Sequence, residues 1–231
     1  MHRILIDLRT GVVDTLLPLR CHLCREASNA RVCPHCESAL PWSLRACRAC
    51  AAPLTSGVVC GDCLQHAPAQ HAAWTAFTYE APVAALLVQL KFAGRLAGAR
   101  VLGELMARRL AARPEPLPDT LVPVPLHVTR LLGRGYNQAL EIARWAGRDL
   151  GIPVRAEWAR RRRGTLGQTR LSAVERRRNL RGAFAADRNV QGRHVAIVDD
   201  VITTGATVGA LARALRRAGA SRVEAWAVAR A

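Results

Sequence analysis

All eight cysteines of this 231-residue chain fall between positions 21 and 63, in four pairs of one spacing: Cys21/Cys24, Cys33/Cys36, Cys47/Cys50 and Cys60/Cys63. A C-x-x-C turn brings two sulfurs to one side of a knuckle, and two knuckles complete a tetrahedral sulfur site with Zn–S bonds of about 2.3 Å. Four knuckles therefore define two sites. A disulfide framework would need an oxidising compartment, but the first twenty residues carry Asp7, Arg9, Asp14 and Arg20 among their apolar positions. That stretch reads as neither a secretion signal nor a membrane span, and the expectation is a cytoplasmic protein. Redox C-x-x-C motifs stand singly beside a βαβ unit, not four in a row. Two structural zinc ions remain, closed by sulfur and so suited to folding rather than hydrolysis. Sequential pairing, which is favoured, puts Cys21, Cys24, Cys33 and Cys36 on one ion and Cys47, Cys50, Cys60 and Cys63 on the other. A cross-braced pairing stays open. His22 and His35 sit inside knuckles and are bystanders where four sulfurs are available.

The rest of the chain is long enough, and at 50% hydrophobic residues apolar enough, to bury a core of its own. Ile4, Leu5, Leu8, Val12 and Leu16 fall at helical spacing and predict a short amphipathic helix packed on the protein. The domain expectation is residues 1–66 for this helix and a double zinc ribbon, a linker over 67–73, and a second domain over 74–231.

In that second domain strand and helix patterns take turns. Strands are expected at 74–79, 120–124, 154–158, 194–198 and 222–228, and helices at 82–90, 100–112, 137–150 and 206–218. Such alternation implies a mostly parallel sheet with helices on both faces, whose ligands sit beyond the carboxyl ends of the strands. At that place stands VAIVDDVITTGAT, residues 195–207. An apolar strand delivers Asp199 and Asp200, and Thr203, Thr204, Gly205, Ala206 and Thr207 then turn the chain into a helix. Gly205 lets the backbone approach an anion, and hydroxyls and free N–H groups at a helix N-terminus bind phosphate oxygens. Adjacent carboxylates make sense beside phosphate if the same ligand offers vicinal hydroxyls, as a ribose does. A Walker loop is excluded, because G-x-x-x-x-G-K-[ST] is absent.

Formal charge is +17, reduced to about +13 if eight thiolates surround two zinc ions. Lysine occurs once, at Lys91, in a chain whose other basic residues are all arginine, so general basicity is weak support for a polyanionic partner. Clustering is stronger support. Arg155, Arg160, Arg161, Arg162, Arg163, Arg170, Arg176, Arg177, Arg178 and Arg181 face only Glu157 and Glu175 in their stretch of chain, a density that calls for an anion. Lys91 itself suggests a place where a compact ammonium is wanted. Arg134 and Gly135, in a basic loop before the helix at 137, form a second anion-facing candidate.

VDDVITTGAT resembles the PRPP-binding motif of type I phosphoribosyltransferases. The likeness extends through YEAPVAALLVQLKFAGR, VPVPLHVTRLLGRGYNQALEIAR, QTRLSAVERRRNLRGAF and RRAGASRV, which follow one another as in the ComF family of competence and GntX-like proteins, also headed by a cysteine-rich ribbon. The resemblance implies a type I phosphoribosyltransferase fold behind the ribbon, binding PRPP with magnesium. It implies that Asp199 and Asp200 hold the ribose hydroxyls as the catalytic pair, that residues 203–207 hold the 5-phosphate, and that Arg134 and Gly135 face pyrophosphate. It gives the segment over Arg160–Arg181, with Gln168 and Arg176, the part of a mobile cover. It further implies a role in natural transformation, with single-stranded DNA and a competence helicase or recombination mediator as partners. Two functions remain: a phosphoribosyltransferase of unknown acceptor, or a non-catalytic protein on the same fold that binds single-stranded DNA or a partner protein with PRPP as effector. Aromatic residues make up only 4% of the chain, which leaves few platforms for stacking single-stranded bases.

Overall fold

A computed structural model describes residues 19–162, 180 and 182–231. The helix expected over residues 4–16 lies outside the described residues, as does most of the arginine-rich segment, Gln168 and Arg176 included. The chain divides into two compact units, Met1–Leu40 and Pro41–Ala231. This division falls between the two groups of cysteines, so the second group shares one body with the α/β fold.

The first unit carries a helix, α1 (Pro34–Ser38), and the second opens with a matching one, α2 (Gly61–Gln65). Four strands then form a parallel sheet: β1 (Ala72–Thr78), β2 (Thr120–Pro123), β5 (His194–Ile202) and β6 (Arg222–Arg230), in the order β1-β6-β5-β2. The connections are helical: α3 (Val83–Phe92) and α4 (Ala97–Ala111), then α5 (Val128–Arg134) and α6 (Gln138–Leu150), then α7 (Ala206–Arg217).

Burial on both faces explains the near-continuous apolar runs of β5 and β6. Val195, Ile197, Val223, Ala225 and Ala227 join Leu211 and Leu215 of α7 in one cluster. Residues of the alternate register, such as Trp226, meet the α4 side. There α4 and α6 cross so closely that a Cβ on Gly103 would lie 2.7 Å from Trp145 Cβ and 2.8 Å from the Ile142 carbonyl oxygen, which only glycine avoids.

The strand expected at 154–158 is replaced by something shorter. Val154 makes one parallel bridge to Leu121, a 3₁₀ turn follows at Ala156–Trp158, and β3 (Ala159–Arg161) pairs antiparallel with β4 (Phe184–Ala186). A continued fifth strand would have to draw on Pro123 and Pro125, which have no N–H to give. The segment ahead of residue 137, read from sequence as a basic flexible loop, is instead largely helix α5. His127 caps it by accepting from Thr129 N, and Gly135 ends it at φ 81°.

At the amino end of the sheet, fully buried Glu224 collects its partners. Arg113 Nη1 lies 2.5 Å from it, His194 Nε2 and Arg222 Nε 3.1 Å, and Trp226 Nε1 donates at 3.0 Å. Burial alone would raise its pKa. The bonds from His194, Arg113 and Trp226 outweigh that and hold the carboxyl at about 2. The cluster fastens the chain leaving α4 to the bottom of β6.

Candidate metal centres and sugar-phosphate site

The sulfurs gather as Cys21, Cys24, Cys33 and Cys36 in one group and Cys47, Cys50, Cys60 and Cys63 in another, all four ligand atoms of each within 4.8 Å of one another. That is the sequential arrangement, and the cross-braced alternative falls away. The two groups repeat one local design. Cys33 N donates to Cys21 Sγ and Cys60 N to Cys47 Sγ, each at 3.3 Å. Arg25 N closes on the Cys21 carbonyl, and Ala51 N on the Cys47 carbonyl. Arg25 and Ala51 pay for that closure with left-handed backbone, φ 69° and 59°. Burial works against ionising Cys21 and Cys47, but the N–H donors prevail and hold them at about 6 and about 7; burial and neighbouring thiols push Cys36 up to about 12, and Cys63 upward too. Cysteine-only donors, N–H···S bonds and a compact tetrad fit zinc in both places. His22 and His35 belong to neither group.

The second site stands at the carboxyl end of β5. Asp199 and Asp200 lie within the strand, which runs on to Ile202, so they are held by sheet pairing rather than hung from its tip. Asp200 is buried and its Oδ2 lies 2.7 Å from Lys91 Nζ, brought in by the last turn of α3. Asp199 is half-buried; burial first, then the charge of Asp200, pushes its carboxyl well above the usual range, with Lys91 opposing.

Beyond the strand the chain turns through exposed Thr203 and Thr204, and Gly205 caps α7 at φ 71° and ψ 2°. Thr204 Oγ1 accepts from Ala206 N at 3.4 Å. Asp199, Thr203, Thr204, Gly205, Ala206 and Thr207 line one shallow notch of about 20 Å³, completed by Val201, Ile202 and Val208.

Arg134 and Gly135 are not among the residues lining that notch. Arg134 donates to Gln138 Oε1 at 2.5 Å and lies 5.9 Å from the Phe92 ring, while the Tyr136 hydroxyl donates to the Leu90 carbonyl. This corner therefore packs around Lys91 on α3. Two other arginines are the ones that feel the acidic pair. On β3, burial and the charge of Arg130 on α5 lower the pKa of Arg161, while Asp199 raises it. Sequence reading missed Arg130 because it sits in the segment taken for a loop. It grouped Arg161 only with an undifferentiated run, although α5 places Arg130 one turn before Arg134.

A parallel sheet whose central strand ends in an acidic pair and a left-handed glycine turn, carried with sulfur-closed tetrads, defines a phosphoribosyltransferase-type protein with a zinc-binding ribbon. The chain matches the double zinc ribbon domain over residues 12–64 and the phosphoribosyl transferase domain over residues 91–231. It is 38% identical over 224 residues to DNA utilization protein YhgH of Escherichia coli K12, covering 93% of this chain and 98% of that protein. It is 35% identical over 206 residues to Competence protein F of Haemophilus influenzae, covering 86% and 84%. The chain belongs to the ComF family of phosphoribosyltransferase-domain proteins. A glutamine PRPP amidotransferase structure from B. subtilis shares 25% identity over 56% of this chain and 25% of its own, at a TM-score of 0.39, too loose to carry inference. No helix among the described residues is long and apolar enough to cross a membrane.

Proposed function

We propose that the notch at the end of β5 binds PRPP with magnesium, and that the protein serves DNA utilisation or competence in the cytoplasm, as the names of its relatives describe for them. What carries the reading is one convergence. An acidic pair, a left-handed glycine turn with free hydroxyls, and the chain's single lysine meet at one end of one strand. The turn matches the needs of a 5-phosphate, and the carboxylates those of ribose hydroxyls. Magnesium would arrive bridging the pyrophosphate and neutralise its charge, with Asp199 and Asp200 the carboxylates able to approach it. In a transferase, an acceptor would displace pyrophosphate at C1 of the ribose while the protein orients both groups and stabilises the leaving anion. Lys91, Arg130 and Arg161 are the cations near the acidic pair.

Calorimetry with PRPP and magnesium tests the reading. Asp199→Asn is the informative variant, since Asp199 is less buried than Asp200 and does not hold Lys91. Loss of a charge-assisted hydrogen bond should weaken PRPP binding roughly ten- to a hundredfold with the fold intact by circular dichroism. Undiminished affinity in the variant, or no binding by the wild type, removes the assignment. A second reading, single-stranded DNA as the ligand of the basic surface, rests on exposed Arg155, Arg160 and Arg162.

A further inference from the structure

A second cavity lies at the outer edge of the sheet, where the segment over residues 43–48 passes along β1. Its volume is about 70 Å³, and it is lined by Ser43, Ala46, Arg48, Trp74, Thr75 and Arg109, with Leu44 and Ala73. It shares no lining residue with the notch at β5 and stands two strands away from that strand.

The polar groups at this cavity lack partners. Trp74 Nε1, Thr75 Oγ1 and Arg109 Nε are all buried with no hydrogen-bond partner, and Thr75 is 5% exposed. Buried donors left unpaired are destabilising, and native proteins seldom leave three side by side. Arg109 is held in place by Nη2, which donates to the Ser43 carbonyl at 3.0 Å, so its Nε is fixed in the cavity wall. Arg48 stands beside it, 54% exposed and 2.5 Å from Glu115. Two guanidinium groups against one carboxylate leave the pocket positive. The indole and guanidinium N–H groups can only donate, and the hydroxyl can turn to donate as well.

A donor-rich, positive, enclosed space asks for a ligand that only accepts. One water needs about 10–15 Å³ of such volume, so the cavity has room for a tetrahedral oxyanion. We infer that it is a binding site for a small oxyanion, phosphate or the phosphate group of a small metabolite, held by Trp74, Thr75 and Arg109 with Arg48 at the mouth.

The test uses the full, zinc-loaded chain labelled with ¹⁵N. The indole N–H resonance of Trp74, assigned by its loss in Trp74→Phe, is followed while inorganic phosphate, a nucleoside monophosphate or matched chloride is added. A saturable shift with inorganic phosphate identifies the free ion as ligand. A shift with the nucleoside monophosphate alone identifies a phosphate group on a larger molecule. Arg109→Met should weaken either response at least about tenfold. Thr75→Val, which keeps shape and removes only the hydroxyl, should weaken it less and serves if Arg109→Met does not fold. Thr204→Val, in the β5 notch, should leave the response unchanged, which separates this site from the PRPP reading. An indole resonance that ignores both phosphates, or moves equally with chloride, overturns the proposal and leaves a water-filled cavity.

Discussion

Loss of the second zinc tetrad should unfold more than a ribbon. The knuckle over Cys47–Cys50 is bonded into the α/β body by Ala73 N to the Arg48 carbonyl at 2.7 Å, Gln70 Nε2 to the Ala49 carbonyl at 2.8 Å, and Arg230 Nε to the Cys50 carbonyl at 3.3 Å. Ala51 is fully buried in the same apolar cluster as α7 and β6, and Trp42 stacks on Phe77 of β1 at 4.6 Å. Three hydrogen bonds at about 1 kcal/mol each, with an aromatic pair worth about 1 kcal/mol, put roughly 3–5 kcal/mol of body stability at risk. For a body of this size each kcal/mol moves Tm by about 2–4 °C, so Cys60→Ser should lower the main transition by about 10 °C. Cys21→Ser, in the other compact unit, should leave that transition nearly in place. Native mass spectrometry should count about two zinc ions in the wild type and one fewer in each variant. Calorimetric scans of the three proteins decide the matter. A main transition unmoved in Cys60→Ser, or lowered equally in both variants, would refute the idea that only the second tetrad is built into the body.

The buried carboxylate of Glu224 makes stability depend on acid. Its folded pKa of about 2 lies below its ordinary value of 4.5, so its contribution is complete above about pH 4.5 and is lost as pH falls toward 2. Chemical denaturation across that window should show a loss on the order of 3 kcal/mol that is absent in Glu224→Gln, and parallel pH curves for the two proteins would contradict the cluster's role. If the basic surface engages single-stranded DNA, affinity should fall with salt at a log-log slope of about −0.7 per phosphate neutralised, and glutamines at Arg160, Arg161, Arg162 and Arg163 should flatten it. An unchanged slope would make those arginines a solvated surface.

The sequence announced what depends on local pattern and hid what depends on distance. The cysteine spacing named both tetrads, and the run from Val195 to Thr207 announced a strand, an acidic pair and a glycine turn, because each is written in consecutive residues. The 2.7 Å contact of Lys91 with Asp200 was not legible: it joins α3 to β5, and only the singularity of the lysine hinted at it. Helix α5 escaped notice because it is seven residues long, begins on a histidine cap and holds Gly133, so its composition reads as loop. The hairpin of β3 and β4 has three-residue strands beside an arginine run, too short for alternation to register. Glu224 looked like one polar residue in an apolar strand, while the partners that tolerate its burial come from the starts of β5 and β6 and the end of α4.

The edge of the sheet explains why a zinc knuckle is joined to this body at all. β1 is an outer strand, and an outer strand exposes unpaired backbone groups that invite association. The chain from Pro41 to Arg48 covers it: Thr78 N donates to the Pro41 carbonyl, Ser43 N to the Ala76 carbonyl, and Ala73 N to the Arg48 carbonyl. A segment this irregular cannot hold an extended course by itself, and the tetrad immediately after it supplies a fixed end. From the other side, Arg230 at the end of β6 grips both the Cys50 carbonyl and, through Nη1 at 3.1 Å, the carbonyl of Ile202. Ile202 is the last residue before the turn of Thr203 to Thr207. One guanidinium thus ties a zinc ligand's backbone to the base of the phosphate-facing turn, which makes the second tetrad part of the scaffold under that turn.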